Sequence, residues 1–461
     1  MDSLVTYLPL VMFAVLAVLA FTGYPIAFVL GGVALMFAVL GDMLGSFRLS
    51  QLTLIPLRIY GGTMESLVLV AIPMFTFMGT MLEKSGAARD LLHALQVMFR
   101  RIPGGLALAV TLMGTIMAAT TGIIGASVVM ITLMALPVMM RANYNIPLAT
   151  GTIAASGTLG VLVPPSIMLV IMADLMAVPA GTLFIAALLP GFLLAALYFI
   201  YILVVCGFMP HLAPPMSDDI RPASRRAFWS MVLRSFVPPT FLIFCVLGSI
   251  LFGLATPTES AGVGALGSIL LAAFNRQLTW ANFFDVCRRT ALTGGMIFGI
   301  FVGATAFAFV FKSIGGESLI VDFIMQTNVG PWSILFVLMA MVFLLGFFFD
   351  WVEITLIILP IFGPILALLD FGGHIGSWDG VGNPIVIWFL ILVAVNLQTS
   401  FLTPPFGLAL FFMKGAAPPE IRIQDMYKGS MPFVGLQLLG LLLCILFPSI
   451  VLWLPSYLLG G

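Results

Sequence analysis

Apolar stretches long enough to cross a bilayer recur along the whole 461-residue chain, and this pattern constrains the architecture more than any motif does. A transmembrane helix needs about 20 predominantly apolar residues. The runs here are too long, and too rich in Leu, Ile, Val and Phe without strict alternation, for the strands of a membrane β-barrel. Composition points the same way: 62% of residues are hydrophobic and 8% are charged, whereas a soluble domain carries about a quarter charged residues. In hydrocarbon every backbone N–H and C=O must be paired within its own segment, so the expected fold class is an all-α polytopic membrane protein.

Lys plus Arg and Asp plus Glu both number 18, so net charge gives no reason to expect a nucleic-acid partner or a charged tail. Cys206, Cys245, Cys287 and Cys444 are scattered without CxxC or metal spacing, which indicates neither a disulfide framework nor a zinc site. His93, His211 and His374 are equally dispersed. The segment Met1–Leu8 lacks the basic stretch and small-residue cleavage site of a signal peptide, so the first helix is expected to be retained.

Basic residues favour the cytoplasmic loops of membrane proteins. Five clusters serve to orient the helices: Lys84, Arg89, Arg100 and Arg101; Arg141; Arg221, Arg225, Arg226 and Arg234; Arg276, Arg288 and Arg289; and Lys414, Arg422 and Lys428. Between them the segments near 147–178 and 182–207, and those near 235–254 and 257–275, run out and back. Two segments break this count. Residues 105–140 begin and end beside basic residues, while residues 333–369 begin after Glu317 and Asp322 and end before Asp370 and Asp379. Both are expected to be re-entrant hairpins, the first opening to the cytoplasm and the second to the opposite side. Such broken backbone at membrane depth is tolerated only where it is buried in protein or lines a cavity.

Each hairpin precedes a long apolar segment interrupted by a diproline: GTIAASGTLGVLVPPSIMLVIM, with Pro164 and Pro165, and NLQTSFLTPPFGLALFF, with Pro404 and Pro405. Proline removes a backbone donor and clashes with the preceding turn, so two in succession stop a helix and let a half-helix begin beyond them. The hairpins match as well, since Ser127 precedes Pro137 by the same ten residues that separate Asp350 from Pro360. A hairpin plus a broken helix, occurring twice from opposite faces, is the inverted-repeat design of secondary transporters.

Several of these stretches resemble signatures of one family. GLATPTESAG at 253–262, LVAIPMFTFMG at 69–79, GTLGVLVPPS at 157–166 and QTSFLTPPFG at 398–407 are similar to the large membrane (DctM-like) subunit of tripartite, TRAP-type secondary transporters. The resemblance runs from about Leu4 to the last helix. It implies an elevator-type transporter of the ion-transporter superfamily type. Its transport domain would be built from 105–180 and 333–415, each a hairpin plus a broken helix. The scaffold would comprise the N-terminal helices 1–104 and the helices of 181–332, with a cytoplasmic linker at 208–234; 416–461 would carry the C-terminal helix. It further implies Na+ as the coupling ion, no organic cofactor, and a multi-pass location in a bacterial or archaeal cytoplasmic (inner) membrane. The implied partners are a small four-helix membrane subunit, a periplasmic substrate-binding protein, an organic anion substrate and membrane lipid, with no nucleic acid. The chain holds no hydrophilic domain and no extra four-helix stretch, so both protein partners are expected to be separate polypeptides.

Sodium is a hard cation that takes oxygen ligands, often carbonyls freed where helices unwind, with hydroxyls completing the shell. The first repeat offers Gly125 and Ser127 in the tip GIIGASVV, and Ser156, Gly157 and Thr158 before the break. The competing role for such hydroxyls is a bond back to their own helix. The second repeat offers Asp350, with Gln398, Thr399, Ser400 and Thr403 across the break. A carboxylate at membrane depth is costly and defaults to a functional reading. Glu353, one helical turn on, is expected at the wet end of the hairpin. Glu259 in ATPTES stands at capping-box spacing from Thr256, with Pro257 favouring a first helical turn. Asp174 reads as an end-of-helix anion. The run 210–234 reads as a solvated linker suited to anionic headgroups, and Trp229, Trp280 and Trp332 as interfacial tryptophans.

Two other function classes compete. A stand-alone ion-coupled anion carrier shares the hairpins and the inverted repeats, and differs by working without partners. An intramembrane enzyme would need a nucleophile or metal constellation, and the chain has no HExxH, GxSxG or P-loop.

Overall fold

The computed structural model describes residues 2–460 apart from 122–123, 217–223, 328–329, 367–368 and 405–406. Their regular structure is helical, with no strand among them. In chain order the helices are α1 (Asp2–Ala20), α2 (Ile26–Met43), α3 (Leu54–Ile59), α4 (Ala71–Lys84), α5 (Ala87–Phe99), α6 (Gly105–Thr121), α7 (Ile124–Arg141), α8 (Ile146–Thr158), α9 (Ile167–Leu175), α10 (Ala180–Phe208), α11 (Arg225–Leu251), α12 (Pro257–Phe274), α13 (Trp280–Ser313), α14 (Gly316–Thr327), α15 (Pro331–Leu345), α16 (Trp351–Leu366), α17 (Pro384–Leu402), α18 (Leu408–Ala416), α19 (Ile423–Leu446) and α20 (Ser449–Leu459). Seven of the described helices, α2, α7, α10, α11, α13, α17 and α19, are long and apolar enough to cross a membrane.

Local sequence explains the main breaks and starts. After α8 a short 3-10 turn, Leu159–Val161, leads into Pro164 and Pro165, and helix resumes at Ile167. α17 stops at Leu402, just before Thr403 and Pro404, and helix resumes at Leu408; Pro405 lies outside the described residues. Both broken helices begin with the same device, an asparagine cap followed by proline in the first turn. Asn145 accepts from Leu148 N at 3.2 Å and Asn383 from Val386 N at 3.2 Å. A third diproline, Pro238–Pro239, sits inside α11 without interrupting it. Two prolines are therefore not sufficient for a break.

Side-chain contacts sort the loops into two ends of the molecule. At one end Lys84 pairs with Asp285 at 2.8 Å, Arg289 with Asp285 at 3.2 Å, and Asn275 Nδ2 donates to Ser85 O at 3.1 Å. At the other, Ser66 Oγ donates to Asp174 Oδ1 at 2.8 Å and Thr258 Oγ1 donates to Leu67 O at 2.6 Å. The helix start at Pro257 carries the full capping box, with Thr256 and Glu259 bonded in both directions.

Both helical hairpins have their two ends side by side. For α6–α7, Gly104 N donates to Ala213 O and Asn145 N to Leu212 O, at 3.0 and 2.8 Å, and Leu106 N donates to Tyr144 Oη. Adjacent residues of one strap thus bind the segments before α6 and after α7. For α15–α16, the Trp332 ring packs on Phe371 and His374, with centroids 5.3 and 4.8 Å away. α19 locates the two mouths relative to each other. Its Gly429 lies on Pro147 and Gly151 beside the first mouth; a Cβ added at Gly429 would fall 1.9 Å from Pro147 O, so only glycine permits the crossing. Its Ile445 carbonyl meets His374 Nε2 at 2.8 Å and its Cys444 carbonyl accepts from Trp388 Nε1 at 2.9 Å, beside the second mouth. Sixteen residues of helix separate Gly429 from Ile445, about 24 Å. The hairpins therefore open at opposite ends of α19.

Three sequence expectations change. The run 210–216 is not simply solvated: Ala213 is fully buried, and Met216 N donates to Arg100 O, so the strap packs under the first mouth; residues 217–223 lie outside the described residues. Trp332 is half-buried in its aromatic cluster instead of standing at a lipid interface, whereas Trp229 and Trp280 are exposed. Glu353, expected at a wet end, is buried.

In a variant lacking the four native cysteines, single cysteines at Arg101 and Arg141 are expected to react with an impermeant maleimide from one face, and a cysteine at Asp379 from the other. Labelling of 101 and 141 from opposite faces would refute the hairpin.

Candidate ion and substrate site

Each hairpin tip meets the end of the neighbouring broken helix. In the first, Ser127 is buried in the opening turns of α7, and a Cβ on Gly157 would lie 2.5 Å from Val128 Cγ2 and 3.2 Å from Val128 Cα. Glycine at 157 is what lets the end of α8 press against the tip backbone. Ser156 Oγ lies 3.5 Å from Thr111 Oγ1 on α6, and Thr158 Oγ1 donates to Ala155 O at 2.9 Å. Gly125 faces the Phe412 ring of α18. Gly122 and Ile123, at the tip itself, lie outside the described residues.

In the second, a Cβ on Gly346 would lie 2.0 Å from Ser400 Oγ, so the tip and the end of α17 are again in glycine-mediated contact. Asp350 stands at the start of α16, where Oδ1 accepts from Trp351 N at 2.8 Å. That bond satisfies the first free N–H of α16, and Asp350 makes no direct bond to Gln398, Thr399, Ser400 or Thr403. The residue that touches Ser400 is Gly346, four positions earlier. Thr399, Ser400 and Thr403 each donate to a carbonyl of their own chain segment, Val395 O, Leu397 O and Thr399 O respectively. Back-bonding uses the hydroxyl hydrogen and leaves oxygen lone pairs free to ligate a cation. Gln398 is fully buried, and neither amide atom has a hydrogen-bond partner among the described residues.

Hydroxyls, backbone carbonyls and a carboxylate are the ligand types a sodium ion takes. Among the described residues no three His, Cys, Asp or Glu side chains gather as a metal cluster.

The second halves of the broken helices tie the two assemblies together. α9 packs on α16 and α18 packs on α7, so each reaches the hairpin of the other segment. A cleft of about 560 Å³ opens where the end of α9, the middle of α16 and the start of α17 converge. Its walls are mostly apolar, formed by residues such as Met176, Val178, Pro360 and Val386, with Lys312 as its cation. Lys312 also pairs with Glu317 at 3.4 Å. Sequence reasoning did not single out Lys312, because only the tertiary arrangement brings the end of α13 to this cleft.

Residues 13–450 match the family described as the Tripartite ATP-independent periplasmic transporter, DctM component. The chain belongs to this family. A C4-dicarboxylate TRAP transporter large permease protein, DctM, of Pseudomonas aeruginosa is 29% identical over 86% of this chain and 88% of its own length. A sialic acid TRAP transporter large permease protein, SiaM, of Vibrio cholerae is 24% identical over 96% and 97%. Among solved structures, the YdaH transporter of Alcanivorax borkumensis shares the fold, with a TM-score of 0.57 and 15% identity over 90% of this chain and 91% of that one. The DctM component is a transporter permease, not an enzyme. It is a multi-pass membrane protein and the large membrane part of a tripartite system that includes a small membrane subunit and a periplasmic binding protein.

Proposed function

We propose that this large permease imports a small organic anion, coupled to sodium, from a periplasmic binding protein across a bacterial or archaeal inner membrane. Segments 105–180 and 333–415 form inverted repeats and move together as an elevator against the remaining helices. The observation that carries this reading is the placement of the two hairpin mouths at opposite ends of α19, with each tip against the end of a broken helix. The cross-packing has the same two-fold character: α9 lies on α16 as α18 lies on α7, and α10 lies on α17 as α19 lies on α8. Unwound helix ends supply carbonyls to the ion, and the tips close over it. The first ion site comprises Ser127, Ser156, Gly157, Thr158 and the backbone near Gly125; the second comprises Asp350, Gln398, Thr399, Ser400 and Thr403. The C4-dicarboxylate and sialic acid in the names of two relatives support a carboxylate cargo, and its identity rests with the binding protein.

The test is uptake in vesicles containing this chain and the small subunit, with the binding protein loaded with the carboxylate that raises its melting temperature in a screen of organic anions. An inward sodium gradient is expected to drive accumulation, and omitting the binding protein to abolish it. Uptake by this chain alone would instead identify a stand-alone carrier, and uptake without sodium would refute the coupling.

A further inference from the structure

The second hairpin holds another carboxylate, which the two proposed ion sites do not use. Glu353 stands in the first turn of α16, three residues after Asp350, and is 9% exposed. Its carboxylate oxygen Oε2 is buried with no hydrogen-bond partner among the described residues. This is the capping-box spacing seen again at Thr256 and Glu259, with one difference. Glu259 is solvent-exposed, so water satisfies what the cap does not. Glu353 has no such recourse.

Two further polar groups, on α16 and α17, lack partners among the described residues, one of them the Gln398 of the proposed second site. Thr355 Oγ1, on α16 itself, and both amide atoms of Gln398, on the adjoining α17, are fully buried and unpartnered. A carboxylate and an amide left unsatisfied in an apolar interior are each expensive, and a charge far more so. Nearby counter-charges do not resolve this. α15 and α17, which pack on α16, carry no titratable side chain. α13 carries Asp285, Cys287, Arg288 and Arg289 near one end and Lys312 at the other, where it pairs with Glu317. α9 carries Asp174, which is bonded to Ser66. α1, which adds Phe13 and Leu16 beside Ile354 and Ile357, carries Asp2 and Tyr7 several residues earlier. Asp350, in the same turn, adds a like charge.

Pro360 lines the open cleft, and Glu353 precedes it by seven residues, hence lies on the same face of α16 about 10 Å deeper. We infer that Glu353 is the carboxylate of a third cation site, beside the proposed second site and on the face of α16 that leads to this cleft, that binds a sodium ion or a proton during the transport cycle. The inference rests on the transporter reading above, and it adds a coupling ion to it.

Substitution by glutamine isolates the charge, because Gln fills the third position of a capping box as well as Glu does. The thermal midpoint of the purified full chain is followed against NaCl, with choline chloride holding ionic strength, and separately against pH. If sodium is the ligand, Glu353→Gln is expected to raise the half-saturating sodium concentration about tenfold or to remove one of two sodium steps. If a proton is the ligand, the sodium titration is unchanged and a pH-dependent step in the midpoint is lost. Glu353→Asp should retain either response in weakened form. A Glu353→Gln protein whose sodium and pH titrations both superimpose on the wild type overturns the inference while leaving the transporter reading intact. A wild type that responds to neither ion overturns both.

Discussion

Asp350→Asn is expected to abolish sodium-driven accumulation while leaving a folded protein. Asp350 Oδ1 accepts from the Trp351 N–H at the start of α16, and the amide oxygen of asparagine can accept the same bond. The substitution therefore preserves the structural bond and removes only the negative charge. If the residue served that bond alone, uptake would be normal. If its charge faces a bound cation at the tip, the loss of one close charge–charge contact should lower the initial rate by at least about tenfold, and the half-saturating sodium concentration should rise in step. Vesicle uptake at several sodium concentrations, with the thermal midpoint as a folding control, decides between the two. An Asn variant that transports normally would remove Asp350 from the ion site.

Ala substitutions at the diprolines should act through backbone geometry. Replacing Pro164 and Pro165 restores two N–H donors and relieves their clash with the preceding turn, so helix can close across the gap between Val161 and Ile167 and capture the carbonyls meant for the ion. The Val161 carbonyl, now taken by Ser166 Oγ, would be among those recaptured. Sodium affinity is expected to fall about tenfold, and the equivalent change at Pro404 and Pro405 should do the same. Pro238 and Pro239 provide the control within the membrane region, because they already lie inside continuous helix. Alanines there should leave the sodium titration within about twofold, since no unwound carbonyls would be recaptured. Comparable damage at all three places would show that proline itself, and not the break, matters.

That third diproline also marks a limit of sequence reading. Which proline pairs break a helix depends on what packs against them. Pro164–Pro165 and Pro404 follow segments pressed against a hairpin tip at Gly157 and Ser400, and Pro238–Pro239 do not. The same holds for Glu353. A carboxylate in a D-x-x-E pattern reads as a cap near water, and only packing of α16 among α9, α13 and α17 makes it a buried group with an unpartnered oxygen. Likewise the strap at 212–216 reads as part of a solvated linker because Pro214 and Pro215 lead into the polar run that follows, yet its carbonyls bind both flanks of the first hairpin.

What the sequence determined by itself was whatever depends on local chemistry and on the solvent. Apolar runs of spanning length demand helices, because lipid offers the backbone no partners. Basic clusters set where the chain turns back, the Asn and Pro pairs start α8 and α17, and Thr256 with Glu259 starts α12. What only the tertiary structure decided was every property that needs two distant segments to meet. These are the two mouths at opposite ends of α19, the contacts of Gly157 with Val128 and of Gly346 with Ser400, and the cleft with Lys312. In a chain that is apolar nearly throughout, hydrophobic pattern cannot say which face of a helix meets protein and which meets lipid. Close packing of small residues makes that choice, and it is visible only once the helices are together.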